Sequence, residues 1–370
     1  MPSRASSLAN SEPDSSAENA KASSRVIAGT LRSSSLVRAT AVGPPRRSAS
    51  TGTTVPWSAV RSAAQALQGV AVRTPLLEVP ALSAGRGTLV ALKCEQLQPT
   101  GAFKLRGAYT AVARVAREGL GRGVVTQSSG NHGQAVAFAA HRFGLRAVVV
   151  MPASTPRIKV AGVERHGGTV VFEGKTRSAE QLRRAEQIAR DEGLVMIPPY
   201  DHPDVIAGQA TVGLEIIEQQ PDVHTILAPV SGGGLLSGIC VAVESLAPHV
   251  QVIGVEPAGA AKLSAALAAG APRTLERVES IADGLLTPSI GTLTFSILRR
   301  IVREAVQVSE QEIRAAVRFL HHTAGLSVEP SSAVATAALL AGRIASTPGP
   351  LVIVLSGGNV DPDFYADLVR

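Results

Sequence analysis

Residues 226–245, ILAPVSGGGLLSGICVAVES, run from an apolar stretch through Ser231, Gly232, Gly233 and Gly234 into a helical pattern beginning at Leu235. This is strand, glycine loop and helix, the unit from which α/β folds with parallel sheets are built. Consecutive glycines let the main chain approach an anion from several sides, and the helix start adds unpaired N–H groups and partial positive charge. The fitting guest is a phosphate. The nucleotide P-loop is excluded because no Gly-Lys-Ser/Thr follows. The dinucleotide fingerprint is excluded because Ser237 stands where its last glycine would fall.

Working outward, the same alternation recurs along the chain. Short buried-strand runs are expected at 88–94 (TLVALKC), 122–127 (RGVVTQ), 146–152 (RAVVVMP), 168–173 (GTVVFE), 224–230 (HTILAPV), 250–256 (VQVIGVE) and 350–356 (PLVIVLS), with helical stretches such as GQAVAFAAHRF between them. A helix over SAEQLRRAEQIARDEG stops at Gly193. PPYDHPDVIAG then breaks the rhythm with three prolines, which suggests a crossing between domains. Residues 1–54, rich in Ser, Ala, Arg and Thr, read as a disordered extension, although an acid-poor Ser/Arg-rich segment also suits an organelle transit peptide.

The chain has 370 residues and 45% hydrophobic content, enough for two domains with real cores. The net charge of +7 is concentrated at the front: residues 1–54 carry six arginines and Lys21 against Glu12, Asp14 and Glu18. The remaining charge is interspersed and aromatic content is only 3%, which argues against a nucleic-acid surface. No apolar run reaches the length of a membrane span, and no secretory signal is evident. Cys94 and Cys240, the only cysteines, fit no metal-ligand spacing. A cytoplasmic protein is the expectation.

Two further strand ends carry chemistry. GVVTQSSGNHGQAVAFAA leads from a strand through Ser128, Ser129 and Gly130 into a helix near Asn131, where free amides and hydroxyls suit a carboxylate; the stretch also reads as an ordinary cap. VIVLSGGNVD leaves Ser356 at the end of an apolar strand, open for a polar contact to a ring nitrogen, though it is also a permissive turn. PTGAFKLRGAY (99–109) sets Lys104 in an apolar context, and of 36 Lys and Arg only six are lysine: Lys21, Lys93, Lys104, Lys159, Lys175 and Lys262. Lysine, unlike arginine, can lose its proton and form a Schiff base, although on its own Lys104 also reads as a solvated charge beside a helix start. A phosphate cradle, a carboxylate cradle and such a lysine together describe a pyridoxal phosphate enzyme acting on an amino acid.

The ordered set PTGAFKLRGA, SSGNHGQA, PVSGGGLLSG, VEP (255–257), ADGL (282–285), VEPSSA (328–333) and SGGN resembles the threonine/serine dehydratase and serine racemase family, across about residues 55–362. The resemblance implies a fold type II (tryptophan synthase beta-like) pyridoxal 5'-phosphate enzyme, with two parallel-type α/β domains and the cofactor between them. Residues 55–122 and 201–370 would form the large domain and 123–200 a small mobile one, with no C-terminal regulatory domain. It implies Lys104 as the Schiff-base lysine and general base, Phe103 beside the ring, and Ser231, Gly232, Gly233, Gly234 and Leu235 around the phosphate. Ser356 falls at the pyridine nitrogen and Glu329 near the cofactor. Ser128, Asn131 and His132 match the substrate-carboxylate loop, with Asn131 also near the cofactor hydroxyl.

The activity implied is β-elimination from L-threonine or L-serine to a 2-oxo acid and ammonia, by a homo-oligomer with a small amino acid as its only partner. Serine racemisation, for which Ser129 matches the second acid/base, and dehydration of another 3-hydroxy amino acid such as 3-hydroxyaspartate are the alternatives. Two departures stand out: Ala102 replaces a frequent serine, and Lys262 stands where some relatives have an Asp metal ligand. Glu256 and Ala260 are therefore weak metal candidates, and no metal is expected.

Overall fold

The structure, a computed structural model, describes residues 55–128, 130–176, 179–302 and 304–370. The expected extension at 1–54, and Ser129, lie outside the described residues. Ten strands form two sheets. The first contains β1 (Leu76–Glu78), β2 (Val90–Cys94), β7 (Thr225–Pro229), β8 (Gln251–Pro257), β9 (Ala305–Val308) and β10 (Leu351–Leu355) in the order β1-β2-β10-β7-β8-β9. Every pairing is parallel except that of β1 with β2. The second sheet is wholly parallel, with order β5-β4-β3-β6, from β3 (Gly123–Gln127), β4 (Arg146–Met151), β5 (Thr169–Phe172) and β6 (Val195–Met196).

All seven strands expected from apolar runs are present. They were legible because β2, β7 and β10 are buried at every residue, so both faces demand apolar side chains. β1, β6 and β9 are two to four residues long and partly exposed, and short mixed segments of that kind carry no periodicity to read.

Helices fill both faces of the six-stranded sheet. One core gathers Ile226, Leu236, Ile239, Val352 and Val354; the other gathers Leu92, Leu227, Val334, Ile353 and Leu355. Neighbouring residues of one strand, such as Val352 and Ile353, thus serve opposite cores, as the two-residue period of a strand requires. The four-stranded sheet has its own cores around Val124, Val149 and Ala139 on one side and Val125, Val148 and Ile188 on the other. Cys94 and Cys240 are buried free thiols, the first pushed by burial up to about 11.

Four charges, three of them buried and Glu215 partly so, form one cluster. Arg106 donates to both oxygens of Glu95 (2.7 and 2.8 Å) and both oxygens of Glu215 (2.7 and 2.9 Å). Lys93 Nζ donates to Glu215 (2.6 Å), Gln219 Oε1 (2.8 Å) and the Thr74 carbonyl (2.9 Å). Burial alone would raise the Glu95 carboxyl, but Arg106, with a further bond from Thr74, holds it below the ordinary value. The cluster joins β2, the turn Glu95–Leu97, the helix Lys104–Glu118 and the helix Pro203–Gln219.

Because two carboxylates share one guanidinium fork, removing it leaves buried charge uncompensated. Arg106→Leu should lower stability by about 3–5 kcal/mol in chemical unfolding. Arg106→Lys should also destabilise, since a point ammonium cannot make the paired bonds.

Candidate active site

The expected site residues lie at the carboxyl ends of parallel strands, where open α/β sheets bind ligands. Ser231 to Gly234 follow β7, Ser356 follows β10, and Ser128 follows β3. Lys104 opens the helix Lys104–Glu118, and this helix start is stitched to the end of β10. The Phe103 amide donates to the Ser356 carbonyl at 3.0 Å, and Ala102 forms a bridge pair with Gly357. Sequence neighbours of Lys104 are thereby fixed beside Ser356, more than 250 residues away.

Around this junction the remaining groups assemble. The Glu329 amide donates to the Gly357 carbonyl (3.1 Å), and a Cβ at Gly357 would lie 2.7 Å from Glu329 Oε1 and 3.1 Å from Asn131 Nδ2. Position 357 therefore admits only glycine without displacing both side chains. Asn131 Nδ2 donates to Glu329 Oε1 at 2.8 Å, while Asn131 Oδ1 accepts from Asn359 Nδ2 at 2.9 Å. Asn359 Nδ2 also donates to the Thr100 carbonyl at 2.8 Å. Asn359, quoted in the SGGN motif but given no role from sequence, is what orients the Asn131 amide.

Lys104 Nζ donates to the Pro199 carbonyl at 2.5 Å and lies 5.3 Å from the centre of the Phe103 ring. Burial drives the amine down to about 8, with the Glu329 charge opposing that fall. Glu329 is shifted the other way, up to about 7, chiefly by burial; Asp283 adds to the rise, while Lys159, the Asn131 bond and Lys104 oppose it. A buried amine and a buried carboxyl are thus brought towards the same pH range, a pattern typical of acid–base sites.

The glycine loop is held from its flank by the proline-rich segment 198–203, whose contacts no local pattern in the sequence announces. The Tyr200 ring packs on Gly232, where a Cβ would come within 2.4 Å of it. Thr294 Oγ1 donates to the Gly232 carbonyl (2.8 Å), and Asp201 caps the helix Thr292–Ile301 through the amides of Thr292 (3.1 Å) and Thr294 (3.0 Å). Gly233 has φ +98°, a backbone region that side chains avoid. Ser231 Oγ pairs with Thr287 Oγ1 at 3.0 Å. Leu235 is buried in the first turn of the helix Gly234–Leu246, whose leading amides have no acceptor inside the helix.

His132 is the second residue of the helix Asn131–Arg142 and is buried. Nε2 lies 3.0 Å from the Ile197 carbonyl, so the ring carries its proton on that nitrogen and donates there. Burial, with the Lys104 charge, pushes it down to about 3 and keeps it neutral. Nδ1, which has no protein partner, is then a bare acceptor. Ser128 Oγ accepts from the Gly130 amide at 3.3 Å.

The weak metal candidates are occupied by the chain itself. Lys262 Nζ donates to the Ala260 carbonyl (2.7 Å) and lies 4.0 Å from Glu256 Oε2. Both Glu256 oxygens accept amides from the next helix, Leu263 N and Ser264 N, each at 2.8 Å. An ammonium thus sits beside the carboxylate and the carbonyl that would have been ligands. Among the described residues no cluster of three or more His, Cys, Asp or Glu could hold a metal ion.

These features fit pyridoxal phosphate. They comprise a helix start behind a glycine loop for the phosphate, an amine of lowered pKa for the aldehyde, and a buried serine after β10 for a ring atom. Glu329 Oε2, buried without a protein partner, adds an unused polar atom in the same place.

Comparison with known proteins agrees with this chemistry. The family model described as "Pyridoxal-phosphate dependent enzyme" matches residues 67–357. An L-threonine ammonia-lyase of Thermotoga maritima is 40% identical over 311 residues, covering 84% of this chain and 77% of that protein. A serine racemase of Arabidopsis thaliana is 40% identical over 294 residues, covering 78% and 88%. The solved structure of maize serine racemase superposes with a TM-score of 0.80 at 34% identity, over 84% of this chain and 95% of that one. With its two α/β sheets and a match spanning most of its length, this chain belongs to the pyridoxal-phosphate dependent enzymes of fold type II.

Proposed function

We propose that the protein is an ammonia-lyase that deaminates L-threonine, L-serine or both by β-elimination, yielding 2-oxobutanoate or pyruvate and ammonia. The observation that carries this reading is Lys104 at a helix start stitched to the Ser356 backbone, its amine lowered to about 8 and within the field of the Glu329 carboxyl. Relatives named as L-threonine ammonia-lyases at 40% identity support it, and another relative, 38% identical, is named as an L-threo-3-hydroxyaspartate ammonia-lyase.

In this reading pyridoxal phosphate supplies an aldehyde for the substrate amino group and a ring that takes up the electrons left by the α-proton. Lys104 would anchor it, and the Lys104 amine, once released, would accept the α-proton. Amides of Ser231, Gly232, Gly233, Gly234 and Leu235 would hold the phosphate, with Phe103 beside the ring. Ser356, being a neutral partner, would not impose a proton on the ring nitrogen as a carboxylate would, which would favour expulsion of the β-hydroxyl over return of the α-proton. The substrate carboxylate rests on the helix start after Ser128, with the spare hydrogen of the Asn131 amide; a neutral His132 contributes its backbone N–H, because its ring offers no donor on that side. The β-hydroxyl would depart as water, its extra proton balanced by the α-proton that Lys104 took up, and the released enamine tautomerises and takes up one water to give the oxo acid and ammonia. The four-stranded unit, 123–200, moves over the substrate.

Purified holoenzyme given L-threonine, L-serine, D-serine and 3-hydroxyaspartate should form 2-oxo acid from L-threonine or L-serine. Accumulation of D-serine without pyruvate would instead identify a racemase, and Ser129→Ala would then remove that activity. Lys104→Ala should lose both turnover and the visible band of the lysine-linked cofactor.

Two outcomes follow from the Lys104 pKa. Uptake of pyridoxal phosphate by the apoenzyme should accelerate with pH and reach half its maximal rate near pH 8, because only the free amine attacks an aldehyde. The charged amine is disfavoured in the fold, so its cost is complete below about 8 and vanishes above the ordinary value of 10.5. Apo Lys104→Met should therefore be more stable than wild type at pH 7, by about 1–3 kcal/mol after loss of the Pro199 bond, with the gain gone at high pH.

A further inference from the structure

Lys159 lies in the helix Arg157–Glu164, between β4 and β5, and so belongs to the four-stranded unit. Its side chain is only 7% exposed, and a lysine is rarely buried without a partner. The partner is Asp283, which opens the short helix Asp283–Leu285 between β8 and β9, on the six-stranded side. This ion pair spans the two units.

Both ends are anchored to the site. Next to Asp283, the Gly284 amide donates to Ser331 Oγ at 2.9 Å, two residues beyond Glu329 on the helix Pro330–Leu340. At the other end the lysine stem runs along Gly130, where a Cβ would stand 3.5 Å from both Cδ and Nζ. Gly130 is the residue from which the helix Asn131–Arg142 starts. The same cation opposes the rise of the Glu329 carboxyl, which also feels Asp283, Asn131 and Lys104.

The geometry points to Lys159 as a positioning residue that fixes Gly130 and the helix start at Asn131 by pairing with Asp283, from the four-stranded unit to the six-stranded one. The role rests on reading that helix start as the substrate-carboxylate cradle. Pairing ties the four-stranded unit to the six-stranded one and sets the lysine stem against Gly130, so the helix-start amides are already aimed when the substrate arrives. Asp283 also neutralises the ammonium, so the cation orients the helix start without itself competing for the substrate carboxylate.

The test compares holoenzyme of wild type, Lys159→Met, Lys159→Arg and Asp283→Asn. Amide hydrogen exchange at Gln134 to Phe138 and at Leu285 should rise about tenfold or more in Lys159→Met and Asp283→Asn, the scale of a lost charged hydrogen bond, and stay near wild type in Lys159→Arg. KM for the amino acid should rise in step while kcat changes less. The role is overturned if exchange at Gln134 to Phe138 is unchanged in Lys159→Met, if Asp283→Asn does not reproduce it, or if exchange rises equally throughout β4 and β5, the mark of general loosening. Should wild type turn over neither threonine nor serine, the exchange arms still decide the clasp, and only the substrate reading fails.

Discussion

The guanidinium of Arg106 is the constraint on which the rest of the structure depends. It stands two residues after Lys104, in the first turn of the same helix, and is nearly sealed from solvent with two carboxylates and the Val72 carbonyl around it. Its planar fork reaches Glu95 after β2 and Glu215 on the helix Pro203–Gln219 at once, which fixes the direction in which the helix begins. Burying such a cluster confers little net stability over an apolar core; what it confers is a single allowed geometry. Lys104 inherits that geometry. The arginine two residues on, packed on the far side of the helix start, holds it in place.

Much of this was legible in the sequence, for identifiable reasons. Strands buried on both faces leave continuous apolar runs, and glycine loops at their ends mark where the backbone must admit an anion. Lys104 stood out because lysine is scarce in this chain, and it gained weight only when distant loops were read together. The buried state of Lys93, Lys159 and Lys262 was not legible, since partners such as Glu215, Asp283 and Ala260 are set by topology or by a local turn rather than by a spacing rule. The same applies to Asn359 and Tyr200, whose importance lies in what they touch. The tautomer of His132 was equally hidden, since the Ile197 carbonyl that takes its ring proton lies 65 residues away.

Lys262 illustrates how one residue can change what a local fold requires. Glu256 is wholly buried and already receives two amides from the start of the next helix, yet a carboxylate there still needs a cation. A tethered ammonium meets that need within the chain, and burial lowers it to about 8 despite the carboxylate, so its charge is held with little to spare. The turn between β8 and the following helix is then complete in the polypeptide alone.

The segment Pro199 to Asp201 touches three partners that lie far apart in sequence: its first carbonyl takes the Lys104 amine, its tyrosine covers Gly232, and its aspartate caps the helix that secures the Gly232 carbonyl. It is also the covalent exit from the four-stranded sheet. Three successive residues therefore wire one exit strand to the Lys104 amine and to the glycine loop together, so a shift of this short backbone segment reaches both at once.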